Sequence, residues 1–244
     1  MSLVSRAAST ANNVLGRFGV QLVRRPSRRP WDEVFDGWIR SAREAGADPN
    51  DVGDQAWGDP RSYIERAYLP YIGADSVVLE VGPGSGRVTR HLIGRCREMI
   101  LVDYSPRVCR WLSTYLQGRG SYSVHEISGP SLPMIADEAV DVVVSYGVFE
   151  HVGFDDTGWF LEEFHRVLRP GGVASFNFDD IMLPDGLAWY RANRGRPGDR
   201  CLFRFYHPEV MARLAEAAGF AVEELTEGGR TADIRLRKPV RPGA

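Results

Sequence analysis

The chain has 244 residues, of which 43% are hydrophobic, 25% are charged and 11% are aromatic. This composition is typical of a globular domain with additions and excludes a chain that is disordered throughout. No apolar run approaches the roughly 18 residues of a membrane-spanning helix, and a net charge of −2 gives no general attraction for nucleic acid. The three cysteines form no CxxC pair, so we expect neither a disulfide framework nor a zinc site, and we expect a cytoplasmic protein.

The N-terminal arm differs in charge from the rest of the chain. Residues 1–31 hold six arginines and no acid, so the remainder carries −8. Apolar residues recur at helical spacing from Leu3 to Leu22, and residues 24–30 are typical of a linker. We expect the arm to pack on its own domain or on a second copy, as in a homodimer. The alternative is a peripheral membrane contact through residues 1–30, which the alanine-rich face without tryptophan disfavours.

Beyond the arm, helical patterns give way to alternating strands and helices. Helices are predicted over 31–46 and 62–71, on either side of a polar loop. Strands are then predicted at 77–81, 99–103, 123–127, 139–145, 172–178, 221–225 and 232–237. Three helices are predicted to begin near Arg87, at Pro106 and at Pro208, and a fourth is predicted to end near Leu168. Alternation of this kind predicts an α/β fold with a parallel sheet covered by helices on both faces.

A glycine-rich loop follows the first predicted strand. Its sequence, EVGPGSG (80–86), lets the backbone approach a ligand closely, and Asp103 ends the next strand, where a carboxylate can bind both hydroxyls of a ribose. These features predict a nucleoside-bearing ligand. Arg87 replaces the third glycine of the dinucleotide fingerprint, which disfavours a nicotinamide dehydrogenase, and Glu80 suits a ligand with a positive charge.

Four blocks together resemble the class I S-adenosylmethionine-dependent methyltransferases, in particular the methyltransferase type 11 group. They are EVGPGSG (80–86), LVDYS (101–105), VDVVVSYGVFEHV (140–152) and VLRPGGVASF (167–176), and the resemblance covers roughly residues 60–225. It implies a Rossmann-like fold with a seven-stranded, mostly parallel sheet and an N-terminal helical extension. We expect residues 1–60 to form an arm and cover, and residues 61–244 to form the methyltransferase domain.

The resemblance also implies S-adenosylmethionine as the cofactor. The residues that it assigns to the cofactor site are Glu80, Gly82, Gly84, Gly86, Asp103, Tyr104, Ser128, Ser145 and Tyr146. Asp103 would hold the ribose hydroxyls, and Tyr104 would lie beside the adenine. Ser128 stands where the family often has an aspartate for the adenine amino group, so this position departs from the pattern.

Two histidines are candidates for removing a proton from the acceptor. His151 follows the fourth predicted strand, at the sheet edge where ligands bind, and its side chain titrates near neutral pH. His207 precedes Pro208, which is well placed as the first residue of a helix. The alternative for His151 is a residue that orders the turn or contacts the cofactor, and the alternative for His207 is a residue at the start of a helix.

Residues 179–206 form an insert on the acceptor side of the predicted site. The candidate acceptor-binding residues are Tyr63, Asp179, Trp189, Tyr190, Arg191 and Tyr206. Aromatic planes with arginines suit a carbohydrate, a phosphorylated small molecule or an acidic aromatic compound. The acidic pairs Asp155–Asp156 and Asp179–Asp180 have the oxygen ligands that suit Mg²⁺, which is the alternative here, but they lack a spaced ligand pattern, so no metal is predicted.

The sequence therefore predicts an S-adenosylmethionine-dependent methyltransferase that methylates a small-molecule or sugar hydroxyl with help from a histidine. A nucleic-acid substrate is not expected, because residues 145–148 lack the Asn/Asp-Pro-Pro-aromatic turn used on base amino groups and the core is acidic. The alternatives are an amine or carbon acceptor, or a module of the same fold that binds the cofactor or a partner without catalysis.

Overall fold

The computed structural model describes residues 29–48, 58–193 and 203–240. Most of the predicted arm lies outside these ranges, as does the tip of the acceptor-side insert. The helices are α1 (Arg29–Glu44), α2 (Arg61–Ala67), α3 (Thr89–Leu92), α4 (Pro106–Tyr115), α5 (Phe154–Val167), α6 (Pro184–Asn193) and α7 (Pro208–Ala217). The strands are β1 (Val77–Val81), β2 (Glu98–Asp103), β3 (Tyr122–Glu126), β4 (Val140–Ser145), β5 (Leu168–Asp180), β6 (Phe205–Tyr206), β7 (Ala221–Gly228) and β8 (Thr231–Arg237).

All strands of the described ranges join one sheet, in the order β3-β2-β1-β4-β5-β8-β7. The strands from β3 to β5 are parallel, while β8 runs antiparallel to both β5 and β7. The short strand β6 lies off this path and pairs with the end of β5. This arrangement confirms the predicted α/β fold with a mostly parallel sheet of seven strands, to which β6 is an unpredicted addition.

Helices cover both faces of the sheet, as the apolar character of its central strand requires. Every residue of β1 is buried, and neighbouring side chains point to opposite faces. Leu79 packs in a core that includes Phe160 and Phe164 of α5. Val78 packs in the core on the other face, which includes Leu112 of α4. The fully buried β1 therefore holds the glycine loop that follows it between two packed layers.

Helix α1 belongs to this second core. The side chains of Phe35 and Ile39 are buried in it, and the ring of Phe35 lies 6.0 Å from that of Trp111 on α4. The hydroxyl of Ser105, which caps α4, also donates a hydrogen bond of 2.5 Å to Asp32. The described part of the predicted cover is thus packed on the domain.

Several elements differ from the expectations, among them helix α6, which the sequence pattern did not predict. The helix after the glycine loop is a single turn, because Gly86 and Gly94 both have positive φ and leave few residues between them for a regular helix. Strand β5 begins at Leu168, four residues earlier than expected, and extends to Asp180. No helix in the described parts of the chain has the length and apolar character to cross a membrane.

Candidate active site

The candidate site lies where the parallel strands end. The carboxyl ends of β1, β2, β4 and β5 meet at one edge of the sheet, at Val81, Asp103, Ser145 and Asp180. Ligands of open parallel sheets bind at this edge, beside the point where the strand order reverses. Since β1 has β2 on one side and β4 on the other, the glycine loop after β1 lies at that point.

The loop depends on two glycines for different reasons. Gly82 has a φ of 69°, and a Cβ atom there would overlap the Val148 side chain in the turn after β4. Gly84 has a φ of 54°, but no atom of the described residues lies within 4 Å of the position that its Cβ would take. Gly82 therefore allows the loop to pack against the protein, while Gly84 leaves an open cradle for a ligand.

Two carboxyl groups flank this cradle, the buried Glu80 and the half-buried Asp103. Asp103 Oδ1 accepts a hydrogen bond of 2.8 Å from the Ser105 backbone, and burial raises the pKa of Asp103 to about 6. Glu80 Oε2 accepts a hydrogen bond of 2.8 Å from Thr89, and burial raises the pKa of Glu80 to about 8. A hydroxyl donor or a positive charge in the cradle would stabilise the ionised carboxylates. This pair fits the ribose and the positively charged part of S-adenosylmethionine.

The other predicted cofactor residues line or brace the same edge. The Ser145 hydroxyl donates to the Val81 carbonyl at 2.9 Å, which ties the ends of β4 and β1 together. The ring of Tyr146 lies 4.6 Å from that of Tyr63. Tyr104 is half-buried after β2. Gly86 packs near Leu112 and Tyr115, and Ser128 is exposed shortly after β3.

His151 lies in the turn between β4 and α5. Its ring is 4.8 Å from Trp31 at the start of α1 and 5.0 Å from Phe203, so aromatic side chains flank it from two distant parts of the chain. Its Nε2 atom lies 3.8 Å from Glu150 Oε1. The turn thus brings a group that can accept a proton to the edge that holds the cradle.

Next to His151 is a group of four side chains that we call the acceptor cluster, formed by the buried Glu150 and Asp179 and the half-buried Trp189 and Arg230. The guanidinium of Arg230 donates to Glu150 Oε1 at 3.3 Å, and its Nε lies 2.9 Å from Asp179 Oδ1. The same guanidinium lies over the Trp189 ring, 4.8 Å from its centroid. One arginine therefore joins the turn after β4, the end of β5 and helix α6.

Burial dominates the electrostatics of the acceptor cluster. It raises the pKa of Glu150 to about 7, with Asp179 raising it further and Arg230 opposing both. It raises the pKa of Asp179 to about 6, again against the lowering effect of Arg230. Burial therefore favours the neutral form of both carboxyl groups, and Arg230 is the cation that opposes this effect.

A glycine places Trp189 in this cluster. A Cβ atom at Gly186 on α6 would overlap the backbone carbonyl of Asp180, so the helix can lie against the end of β5 only with glycine at this position. Trp189 follows one turn later and contacts the Phe203 ring at 5.4 Å. The helix and the strand end thus form one wall of the site.

Other predicted side chains have different surroundings. The Tyr206 hydroxyl donates to the Val152 carbonyl at 2.8 Å and lies 2.9 Å from the Thr157 hydroxyl, contacts that anchor β6 to α5. His207 Nδ1 accepts from the Glu209 backbone at 3.1 Å and so caps α7. Tyr190 packs against Phe205 at 5.5 Å, and Arg191 is exposed.

Sequence reasoning missed Glu150 and Arg230. Glu150 directly precedes His151, so the sequence already indicated a carboxyl group next to the candidate base. Arg230 follows Gly228 and Gly229 between the last two predicted strands, where the pattern indicates only a hairpin turn. It reaches Asp179 because β8 pairs with β5 in a register that sets Thr231 opposite Asp179.

Apart from Asp179, which belongs to the acceptor cluster, the residues of the acidic pairs have local roles. Asp155 and Asp156 lie in the first turn of α5, where negative charge is favourable, and Asp180 Oδ1 accepts a hydrogen bond from the Met182 backbone. Within the described ranges, no three histidine, cysteine or acidic side chains are grouped as metal ligands would be.

Comparisons with known proteins agree with this geometry. Residues 79–176 match the methyltransferase domain family. A probable S-adenosylmethionine-dependent methyltransferase of Mycolicibacterium smegmatis is 31% identical over 149 residues, which cover 60% of this chain and 52% of that protein. The malonyl-[acyl-carrier protein] O-methyltransferase 1 of Coxiella burnetii is 34% identical over 102 residues, which cover 41% of this chain and 32% of that protein. The chain thus spans about half, or less, of the length of these two curated relatives.

The fold is also found in solved structures. A chain in a complex that contains a methyltransferase activator of Haloferax volcanii has a TM-score of 0.62 and 18% sequence identity. The superposition covers 84% of this chain and 97% of that one. At this identity the likeness concerns the fold, which is shared over nearly the whole of the neighbour.

Proposed function

Because the chain contains a class I methyltransferase domain, we propose that it is an enzyme that transfers a methyl group from S-adenosylmethionine to a hydroxyl group of a small-molecule or saccharide acceptor. The observation that carries this proposal is the position of His151. The residue and its polar neighbours lie at the same strand edge as the glycine cradle, one turn beyond β4. A cofactor in the cradle and an acceptor beside His151 would therefore be neighbours.

The cradle residues bind and orient the cofactor. Asp103 would accept hydrogen bonds from the ribose hydroxyls, and the ionised form of Glu80 would be stabilised by positive charge. S-adenosylmethionine supplies an electrophilic methyl group when it is bound. The task that remains for the protein is to align the acceptor for an in-line displacement and to remove its proton.

His151 would take that proton. A hydroxyl group becomes a stronger nucleophile when a base lies within hydrogen-bond reach, and histidine is a suitable base near neutral pH. Glu150, 3.8 Å from the imidazole, would stabilise the positive charge that the ring gains. Trp31 and Phe203 hold the ring from two sides, which limits its rotation.

Oxygen is the proposed methyl acceptor for two reasons. One relative is named as an O-methyltransferase, and a hydroxyl needs the base that His151 provides. An amine or carbon acceptor and a module without catalysis are the alternatives.

The first test is a calorimetric titration with S-adenosylhomocysteine, with NADH as the control. Micromolar binding of S-adenosylhomocysteine alone supports the proposal, while binding of NADH alone or of neither compound contradicts it. The second test compares the His151→Ala and His125→Ala variants in methyl transfer. His125 lies on β3, away from the β4–α5 turn. We expect a loss of turnover only in His151→Ala, with cofactor binding retained in both variants.

The N-terminal arm remains a separate proposal. We expect residues 1–30 to pack on the domain or on a second copy, with a membrane surface as the alternative. Deletion of these residues, followed by measurement of the solution mass and of binding to anionic vesicles, distinguishes the three arrangements. A change of mass beyond that of the lost arm supports the dimer, and loss of vesicle binding supports the membrane.

A further inference from the structure

The acceptor cluster contains buried polar atoms that lack a hydrogen-bond partner among the described residues. Asp179 Oδ2, Glu150 Oε2 and Trp189 Nε1 are all inaccessible to solvent and have no hydrogen-bond partner among the described residues. Buried polar atoms of this kind are costly unless something pairs with them. Asp179 is fully buried and Glu150 is 8% exposed, so bulk water does not solvate their side chains. A ligand in the site must therefore offer donors to two carboxylates and an acceptor to one indole N–H.

The charges of the cluster disfavour an anionic ligand. Its single cation, Arg230, is already engaged by both carboxylates, at 2.9 and 3.3 Å. A phosphate or carboxylate group placed here would meet two acidic side chains with no uncommitted cation in the cluster. The sequence left three classes of acceptor open: a carbohydrate, a phosphorylated compound and an acidic aromatic compound. Of these, the charges of the cluster favour the carbohydrate, because it is neutral.

The indole disfavours a cationic ligand. An ammonium group donates hydrogen bonds but cannot accept one, so it would leave the Trp189 N–H unpaired. It would also lie close to the Arg230 guanidinium, which is itself over the indole ring. A hydroxyl group does both tasks, because it donates through its hydrogen and accepts through its oxygen.

We propose that Glu150, Asp179, Trp189 and Arg230 form a subsite for hydroxyl groups of a neutral, hydroxyl-rich acceptor, of which a saccharide is the type. Asp179 and Glu150 accept hydrogen bonds from acceptor hydroxyls, and Trp189 donates to one of them. Arg230 is a positioning residue that holds both carboxylates in place. This inference rests on the proposed methyltransferase function and narrows the class of its acceptor.

The test is saturation-transfer NMR with small sugars in the presence of S-adenosylhomocysteine. The probes are the methyl glycosides of glucose, galactose, mannose and rhamnose, together with glucose 6-phosphate and glucosamine as charged counterparts. We expect at least one methyl glycoside to bind, and to bind more tightly than either charged sugar.

Matched variants locate the bound sugar. Asp179→Asn removes a charged acceptor, and Trp189→Phe removes the indole N–H while keeping an aromatic ring. Each should weaken glycoside binding by roughly tenfold, the effect of one hydrogen bond to a charged or buried group. Asp185→Asn is the control, because Asp185 is an exposed residue on the same helix as Trp189. It should leave the affinity unchanged, and if Asp179→Asn does not fold, Trp189→Phe decides.

Three results would overturn the inference: no methyl glycoside binds, a charged sugar binds more tightly, or the variants bind the glycoside as well as the wild type. Titration of S-adenosylhomocysteine separates these results from a failure of the proposed function. If the wild type binds S-adenosylhomocysteine but no glycoside, the saccharide subsite alone is wrong. If it does not bind S-adenosylhomocysteine, the proposed function itself is contradicted.

Discussion

The two halves of the candidate site are built in different ways. The proposed cofactor half consists of a loop of consecutive residues, 80–86, and a carboxylate at the end of the adjacent strand. The proposed acceptor half consists of Glu150, Asp179, Trp189 and Arg230, which come from four separate segments of the chain. The first half uses backbone conformation to leave space for a ligand. The second half uses charged side chains and aromatic rings that pack against one another.

The two halves should therefore tolerate different substitutions. Backbone geometry in the cofactor half depends on glycine, so even a methyl group there is costly. The acceptor half depends on a balance between two carboxylates and one guanidinium, so its integrity depends on pH. Substitutions in the two halves should therefore fail in distinguishable ways.

The largest effect should come from Gly82→Ala. The new Cβ would overlap Val148 at a positive φ, and we expect a loss of about 2–4 kcal/mol in the free energy of unfolding, measured in urea. Gly84→Ala is the matched control, because its Cβ would meet no atom of the described residues. It should cost about 1 kcal/mol from the positive φ alone but abolish binding of S-adenosylhomocysteine. Equal stability of the two variants would contradict the packing role of Gly82.

Arg230→Met should show the pH dependence of the acceptor half. Without the guanidinium, two buried carboxylates lose their counter-charge, and we expect a loss of about 2–4 kcal/mol at pH 8. At pH 5, below the pKa values of about 7 and about 6 for Glu150 and Asp179, both carboxyls are largely protonated and the loss should shrink. Urea unfolding at the two pH values measures this. Arg213→Met, at an exposed arginine, is the control. A loss of stability in Arg230→Met that does not depend on pH would refute the charge balance.

Glu80→Gln should flatten the pH dependence of stability without a cofactor. Because the pKa of Glu80 is about 8 in the folded protein, above its ordinary value, the wild type loses stability as the pH rises from about 5 to 8. The variant lacks this loss and should be more stable than the wild type by roughly 2 kcal/mol at pH 8.5. It should also bind S-adenosylhomocysteine more weakly. Parallel stability profiles for the two proteins would contradict this role of burial.

His207→Ala should have the smallest effect. The side chain caps α7, so its removal should cost about 1 kcal/mol of stability and leave S-adenosylhomocysteine binding unchanged. A stable variant that binds the cofactor but no longer transfers methyl groups would instead assign His207 to catalysis.

The sequence was informative where function depends on neighbouring residues. Strand β1, the glycine loop and Asp103 follow from local patterns, and so does the turn that holds His151. Arg230 could not be found in this way, because its contact with Asp179 depends on the register of β8 against β5. A helix was predicted where α3 lies, but its shortness was not, since the positive φ values at Gly86 and Gly94 limit its length.

The most direct test of the whole account is a reaction with S-adenosylmethionine labelled with carbon-13 in its methyl group. The acceptors are the neutral methyl glycosides, and NMR of the products identifies the atom that carries the label. We expect an O-methyl ether on a sugar, formed by the wild type and lost in His151→Ala. A label on a carbon atom of the sugar, or no product from an enzyme that binds both S-adenosylhomocysteine and the sugar, would contradict this result.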